Sequence, residues 1–404
     1  MLIFLLFASQ LFSFGLCSEQ NMSDTIFSEE DRCPSKVITV PLHKNGHEVY
    51  INIGIGNPVQ TVKAKLDFQT HYSLIVDLNS DFFGEIDSLY RDTHDSFSGE
   101  YSTNSDKDFK FILNAYHEND QTSNVLGLYG KSYFKIGERK VKKHFLNIIY
   151  QFHKRPEDHP HYKKLYIGSS GYNDLELIKP GYLDYQKYES DGITSGFLGL
   201  EPRFKDTPPN GFFSSETSIM DFLGPDKMIT IDMRNGKSSF SLGNAVCANE
   251  TINWIKSEKS DSFEFKISNV TVIHKGINYI IDRIIDGEIG KRNITAVFNP
   301  RYRDIYIEKT FADGIKRLSF QFLGGCNMGF DSVLFHSNNV TIGLKPESFL
   351  KSGRIFCDSD IKPIVKEDHT ENNKWIFGWS FNKGRAIVYD YKQSRVGFVD
   401  EEGY

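Results

Sequence analysis

The stretch from Tyr50 to Val76, YINIGIGNPVQTVKAKLDFQTHYSLIV, constrains the fold of this chain more than any other. Its apolar residues Ile51, Ile53 and Ile55 fall on alternate positions, the period of a half-buried strand. Gly56-Asn57-Pro58 then breaks the run as a turn, and Val62, Ala64 and Leu66 carry a second strand back to Asp67. The reading is a β-hairpin that delivers an acid.

At 404 residues, 39% hydrophobic and 14% aromatic, the chain buries a large core and divides into two domains or one bilobal unit. A net charge of −6 is too mild to point to a partner, and it disfavours nucleic acid. Met1 to Cys17 is apolar and uncharged, too short to span a bilayer comfortably, and charged sequence follows at once. It reads as a secretory signal peptide. With Cys17 removed, Cys33, Cys247, Cys326 and Cys357 remain, an even number that reads as two disulfides. Sequons at Asn21, Asn249, Asn269, Asn293 and Asn339 agree with passage through the secretory pathway. No CxxC spacing occurs, and His153, His159 and His161 on a charged loop read as solvated surface, so no metal and no cofactor are expected.

Further motifs stand at regular places along the chain. Gly56-Asn57-Pro58-Val59-Gln60 precedes Asp67, and Leu74-Ile75-Val76 follows it. Phe109 to Gly137 reads as strand, polar tip, strand, and Phe197-Leu198-Gly199 lies in Ser190 to Pro202. A second set is Ala296-Val297-Phe298-Asn299-Pro300-Arg301, then Ile376-Phe377-Gly378, Val388-Tyr389-Asp390 and Arg395-Val396-Gly397-Phe398. Together these resemble the pepsin-like aspartic proteases over nearly the whole mature chain, with Asp67 and Phe197-Leu198-Gly199 mirrored by Asn299 and Ile376-Phe377-Gly378.

The resemblance implies an all-β fold: a bilobal pepsin-like double β-barrel with a few short helices. Residues 1–17 would be the signal peptide, 18–247 the N-terminal lobe and 248–404 the C-terminal lobe, with a ligand cleft where the lobes meet. It makes Tyr116 the flap tyrosine. Of the three connectivities open to the four cysteines, Cys326–Cys357 with Cys33–Cys247 is the favoured one, the first pair by likeness to a bridge of the family's C-terminal lobe. The short acidic segment Ser18 to Asp31 leaves no room for the basic prosegment usual in such zymogens.

The family hydrolyses amides with two carboxylates about 3 Å apart that share one proton. Here the first Asp-Thr-Gly reads Asp67-Phe68-Gln69 and the second reads Asn299-Pro300-Arg301. Asn299 stands in the second aspartate's place and cannot exchange a proton at ordinary pH. Gln69 and Arg301 replace the glycines whose backbone approaches the carboxylates, and Pro300 has no N–H. Arg301 stands where it can pair with Asp67 instead. Asp77 and Asp304, as rival acids, read as solvated surface. The expectation is a catalytically inactive homologue, a secreted monomer that binds a peptide or protein through the interlobe cleft or outer loops. Its compartment is extracellular or the lumen of the secretory-lysosomal pathway, with no membrane contact after signal cleavage. The alternatives are an endopeptidase working unconventionally through Asp67, or a storage protein with no specific ligand.

Overall fold

The computed structural model describes residues 37–45, 48–68, 73–83, 100–117, 124–152, 176–178, 194–202, 219–234, 236, 238–260, 262–281, 284–285, 288–289, 294–320, 330–352, 357–364 and 374–400. These residues are mostly strand, and the fold is all-β.

The first hairpin follows from its alternation. Strands Glu48–Ile55 and Gln60–Asp67 pair antiparallel with Ile51 opposite Ala64 and Ile53 opposite Val62. Ile51, Ile53, Ile55, Val62, Ala64 and Leu66 are all buried, whereas Asn52 between them is exposed. The hairpin belongs to a nine-stranded sheet, and a second pairing of Glu48–Ile55 with Asn124–Ile136 brings that sheet back on itself. Strands Lys110–His117 and Asn124–Ile136 form the second hairpin, with Tyr116 opposite Leu126.

The C-terminal half builds a five-stranded and a four-stranded sheet. A helix at Lys309–Phe320 buries Phe311, Ala312 and Ile315, and Phe311 meets the Trp375 ring edge-on at 5.0 Å. Both halves contribute to a six-stranded sheet, joined where Met228–Asp232 pairs with Arg385–Asp390. One core cluster runs through them, taking in Ile51, Leu66 and Phe68 as well as Phe298, Phe377 and Tyr389.

Two crossings position the site. Strand Gly196–Gly199 lies parallel to Gln60–Asp67, with Gly199 opposite Asp67, and antiparallel to Ser73–Phe83. Trp375–Phe377 lies parallel to Ile294–Phe298, with Phe298 opposite Phe377, and antiparallel to Ile305–Ile307. The repeat in the sequence is therefore a repeat in the backbone. Each crossing needs a residue without a side chain. At Gly196, which has φ +143°, a Cβ would strike the Leu74 carbonyl, and at Gly378 it would fall within 3.0 Å of the carbonyl oxygens of Tyr302, Arg303 and Asp304. Gly378→Ala is expected to destabilise the fold by about 3 kcal/mol, because backbone oxygens cannot give way as a flexible side chain does. Urea unfolding of the variant measures this, and a loss under about 0.5 kcal/mol, the range of ordinary surface changes, would contradict the close crossing.

Candidate functional site

Each parallel crossing leaves a polar residue at the end of its strand, and the two meet at the centre of the molecule. Asp67 closes strand Gln60–Asp67 and Asn299 follows strand Ile294–Phe298; both are 0% exposed. The Asn299 amide donates Nδ2–H to Asp67 Oδ1 at 2.9 Å. Its Oδ1 accepts the Arg301 N–H at 3.1 Å and, at 3.5 Å, the Phe68 N–H.

The second carboxylate oxygen belongs to Arg301. Its guanidinium donates NH1–H to Asp67 Oδ2, closing an ion pair in which the side chains are 2% and 0% exposed. The guanidinium also lies 4.6 Å from the Phe197 ring centroid and 5.9 Å from that of Tyr302. Stacking on aromatic faces suits a planar, weakly hydrated cation, so Phe197 from the N-terminal crossing helps hold an arginine supplied by the C-terminal half.

Phe68, next to the acid, turns its ring into the core. It stacks on Tyr389 with centroids 3.7 Å apart and planes at 11°, and meets Phe263 edge-on at 6.1 Å. Burial pushes the Tyr389 hydroxyl well above its ordinary range, and burial followed by the neighbouring Tyr389 does the same to Tyr391. The Tyr391 hydroxyl donates to the Leu200 carbonyl at 2.5 Å. Phe68 thus ties the acid's loop to the sheet that joins the halves. The sequence showed which residue stood there, but not where its ring would go.

Chemically, this centre offers a carboxylate held by an amide and a guanidinium. Neither partner exchanges a proton at ordinary pH, so neither can serve as the second acid of a shared-proton pair.

No family model matches the chain. Part of it is similar to human gastricsin, 32% identical over 81 residues, which cover 20% of this chain and 21% of gastricsin. The similarity is to a pepsin-like aspartic protease. The chain thus matches about a fifth of that relative's length.

Tyr116 is on strand Lys110–His117, opposite Leu126. Gln69, the side chain of Tyr116, Cys33, Cys326, the side chain of Cys357, Asn21, Asn293, the histidines 153, 159 and 161, and residues 1–17 lie outside the described residues. Cys247 follows strand Ser239–Leu242; Asn249 and Asn339 are exposed, and Asn269 is half-buried. Among the described residues no group of three or more His, Cys, Asp or Glu could hold a metal ion, and no helix is long and apolar enough to cross a membrane.

Asp77 corrects the expectation of a solvated acid. It is 3% exposed and accepts from the Thr103 N–H at 3.2 Å and the Thr103 hydroxyl at 3.3 Å. Asp304 is half-buried, 3.7 Å from Arg303. A further acid, Asp106, buried in the same region as Asp77, accepts from the Tyr101 hydroxyl at 2.7 Å, the Ser132 hydroxyl at 2.5 Å and the Asn57 N–H at 2.9 Å. Such saturation by donors marks a structural carboxylate, which bonds the first hairpin's turn to the second hairpin.

Proposed function

We propose that this chain is a pepsin-like protein whose catalytic centre has become an ion pair, and that it acts by binding a peptide or protein rather than by cleaving one. The observation that carries this reading is the engagement of both Asp67 oxygens, one by Asn299 and the other by Arg301, in a fully buried setting. A hydrolytic water needs a place between two acids, and here a guanidinium and an amide fill the surroundings of the one that remains. The partial similarity to gastricsin supports the pepsin-like frame.

The same reading includes secretion after removal of residues 1–17, a monomeric state, bridges Cys33–Cys247 and Cys326–Cys357, and glycans on Asn249, Asn269, Asn293 and Asn339. The ligand would lie in the cleft between the halves, under the hairpin that carries Tyr116, or on the outer loops.

The deciding experiment is a cleavage screen against a peptide library from pH 3 to pH 7, with the wild type and Asp67→Asn in parallel. Neither is expected to release product above the blank. Cleavage by the wild type that disappears in Asp67→Asn would overturn the reading and make the chain an unconventional endopeptidase.

A further inference from the structure

The nine-stranded sheet gathers lysines on the face turned away from its core. Strand Arg139–Phe152 opens with the basic run RKVKKH and pairs antiparallel with Asn124–Ile136, which sets Lys140 opposite Lys135 and Lys142 opposite Tyr133. On the other side of Asn124–Ile136, Lys110 stands opposite Lys131. Strand alternation puts all of these on one face, because Ser132, Phe134, Ile136 and Lys143, which fall between them, are buried on the other. Lys110, Lys135 and Lys140 are exposed, and Lys131, Tyr133 and Lys142 are half-buried. The Lys140 ammonium lies 4.2 Å from the Tyr133 ring centroid and that of Lys142 lies 5.7 Å from it, so two cations gather at one ring.

Such an arrangement works against the fold. Like charges directly opposite each other on neighbouring strands repel, and this face holds two such pairs, Lys135 with Lys140 and Lys110 with Lys131. Lysines commonly keep a sheet edge from pairing with another chain, but Lys131 and Lys135 sit on a strand paired on both sides. Its partners are Arg139–Phe152 on one side and, on the other, Lys110–His117 beside Lys131 and Glu48–Ile55 beside Lys135. Edge protection therefore accounts for neither residue. Exposure opens Lys110, Lys135 and Lys140 to a ligand, and an anion set between opposed ammoniums turns their repulsion into attraction.

We propose that this face binds a sulfated polysaccharide, laid across the three strands with its sulfates between the opposed lysines. The array extends about 13 Å along the strands and about 10 Å across them, which suits a chain of closely spaced monoanions better than one small anion. Its cations are lysines alone, since Arg139 falls on the inner register opposite Ile136. Compact point charges suit sulfate oxygens, whereas planar carboxylates are matched better by the arginine fork. Exposed Val59 borders the face, flanking Gly54 together with Lys135. A bilayer nevertheless fits less well, because exposed Glu138 at the hairpin tip would meet the same anionic leaflet as the lysines, while a narrow chain across the strands passes it by. The choice of polysaccharide over nucleic acid rests on the net charge of −6 and on the secretion proposed above. The face is not part of the Asp67 centre, so this proposal and the non-hydrolytic reading fail separately.

The test is titration of the purified chain into a fluorescently labelled heparin octasaccharide, read by fluorescence anisotropy over a series of salt concentrations. Saturable binding is expected, falling steeply as salt rises. Lys135→Gln/Lys140→Gln is expected to weaken it about tenfold and to reduce the slope of log affinity against log salt by about two, one for each lysine lost. Removing an opposed pair relieves repulsion, so the urea midpoint of this variant stays at or above that of the wild type, and its weaker binding is not a folding defect. Lys256→Gln, at an exposed lysine on strand Asn253–Lys256, leaves the affinity unchanged. The desulfated octasaccharide, polyglutamate, a uridine oligonucleotide and phosphatidylserine vesicles serve as comparators, and each is expected to bind more weakly than heparin. Equal or tighter binding of any of them would overturn a sulfated polysaccharide as the occupant. Absence of saturable heparin binding, or an affinity untouched by Lys135→Gln/Lys140→Gln, would overturn the site itself.

Discussion

Arg301→Met is expected to destabilise the fold by about 3–5 kcal/mol, measured by urea unfolding at neutral pH. The arginine makes the ion pair to an aspartate that is 0% exposed, and its loss takes from that buried carboxylate the cation that faces it, leaving the Asn299 amide on its other oxygen. Methionine keeps an unbranched stem but removes the guanidinium with both its ion pair and its stacking on Phe197, so the loss reports the charged head rather than the stem's volume. Asp67→Asn should cost a similar amount, because it takes the carboxylate from the buried guanidinium instead. The double variant Asp67→Asn/Arg301→Met should recover most of the loss, since a buried ion pair replaced by neutral groups is often close to neutral in stability. Strong non-additivity is the sign that the two residues act as one unit. Single losses under about 1 kcal/mol would mean that Asp67 is not held by Arg301, and the proposal of a centre converted from hydrolysis to an ion pair would lose its support.

Much of this centre can be traced to short-range features of the sequence. Alternation in Ile51, Ile53 and Ile55 dictates the first hairpin, and Gly378 fits a place where three carbonyl oxygens leave no room for a Cβ. Asn299 and Arg301 are legible through the resemblance, whose motif has an acid and a glycine at their positions. What could not be read depends on contacts between distant residues. Asp77 is buried because Thr103 offers two donors, and nothing around Asp77 in sequence announces that. The Lys383 and Lys44 ammoniums share a ring through tertiary packing alone. Helix Lys309–Phe320 did carry a signal, with Phe311 and Ile315 four residues apart. Gly314 beside them weakens that signal, as an isolated glycine does inside a helical pattern.

Phe68→Ala is expected to cost about 3–5 kcal/mol, the range for removing a large aromatic from a core. Most of that follows from the cavity, because the ring is 1% exposed and packs on Tyr389 and Phe263. A further part, about 0.5–1.5 kcal/mol, belongs to the stacked aromatic pair. Phe68→Thr tests the argument more sharply. Threonine is the letter that the resemblance assigns to this position, so if the centre were a catalytic site with one unusual residue, that change would be benign. If the loop has been rebuilt around the ring, threonine leaves most of the cavity and places a hydroxyl against Tyr389, and the loss approaches that of alanine. The measurement is the same urea unfolding, with Phe68→Leu as the apolar reference. A Phe68→Thr variant as stable as the wild type would show that the aromatic is incidental. One destabilised by more than about 2 kcal/mol, with Phe68→Leu in between, would place Phe68 with Arg301 as a second residue through which this loop became part of the core.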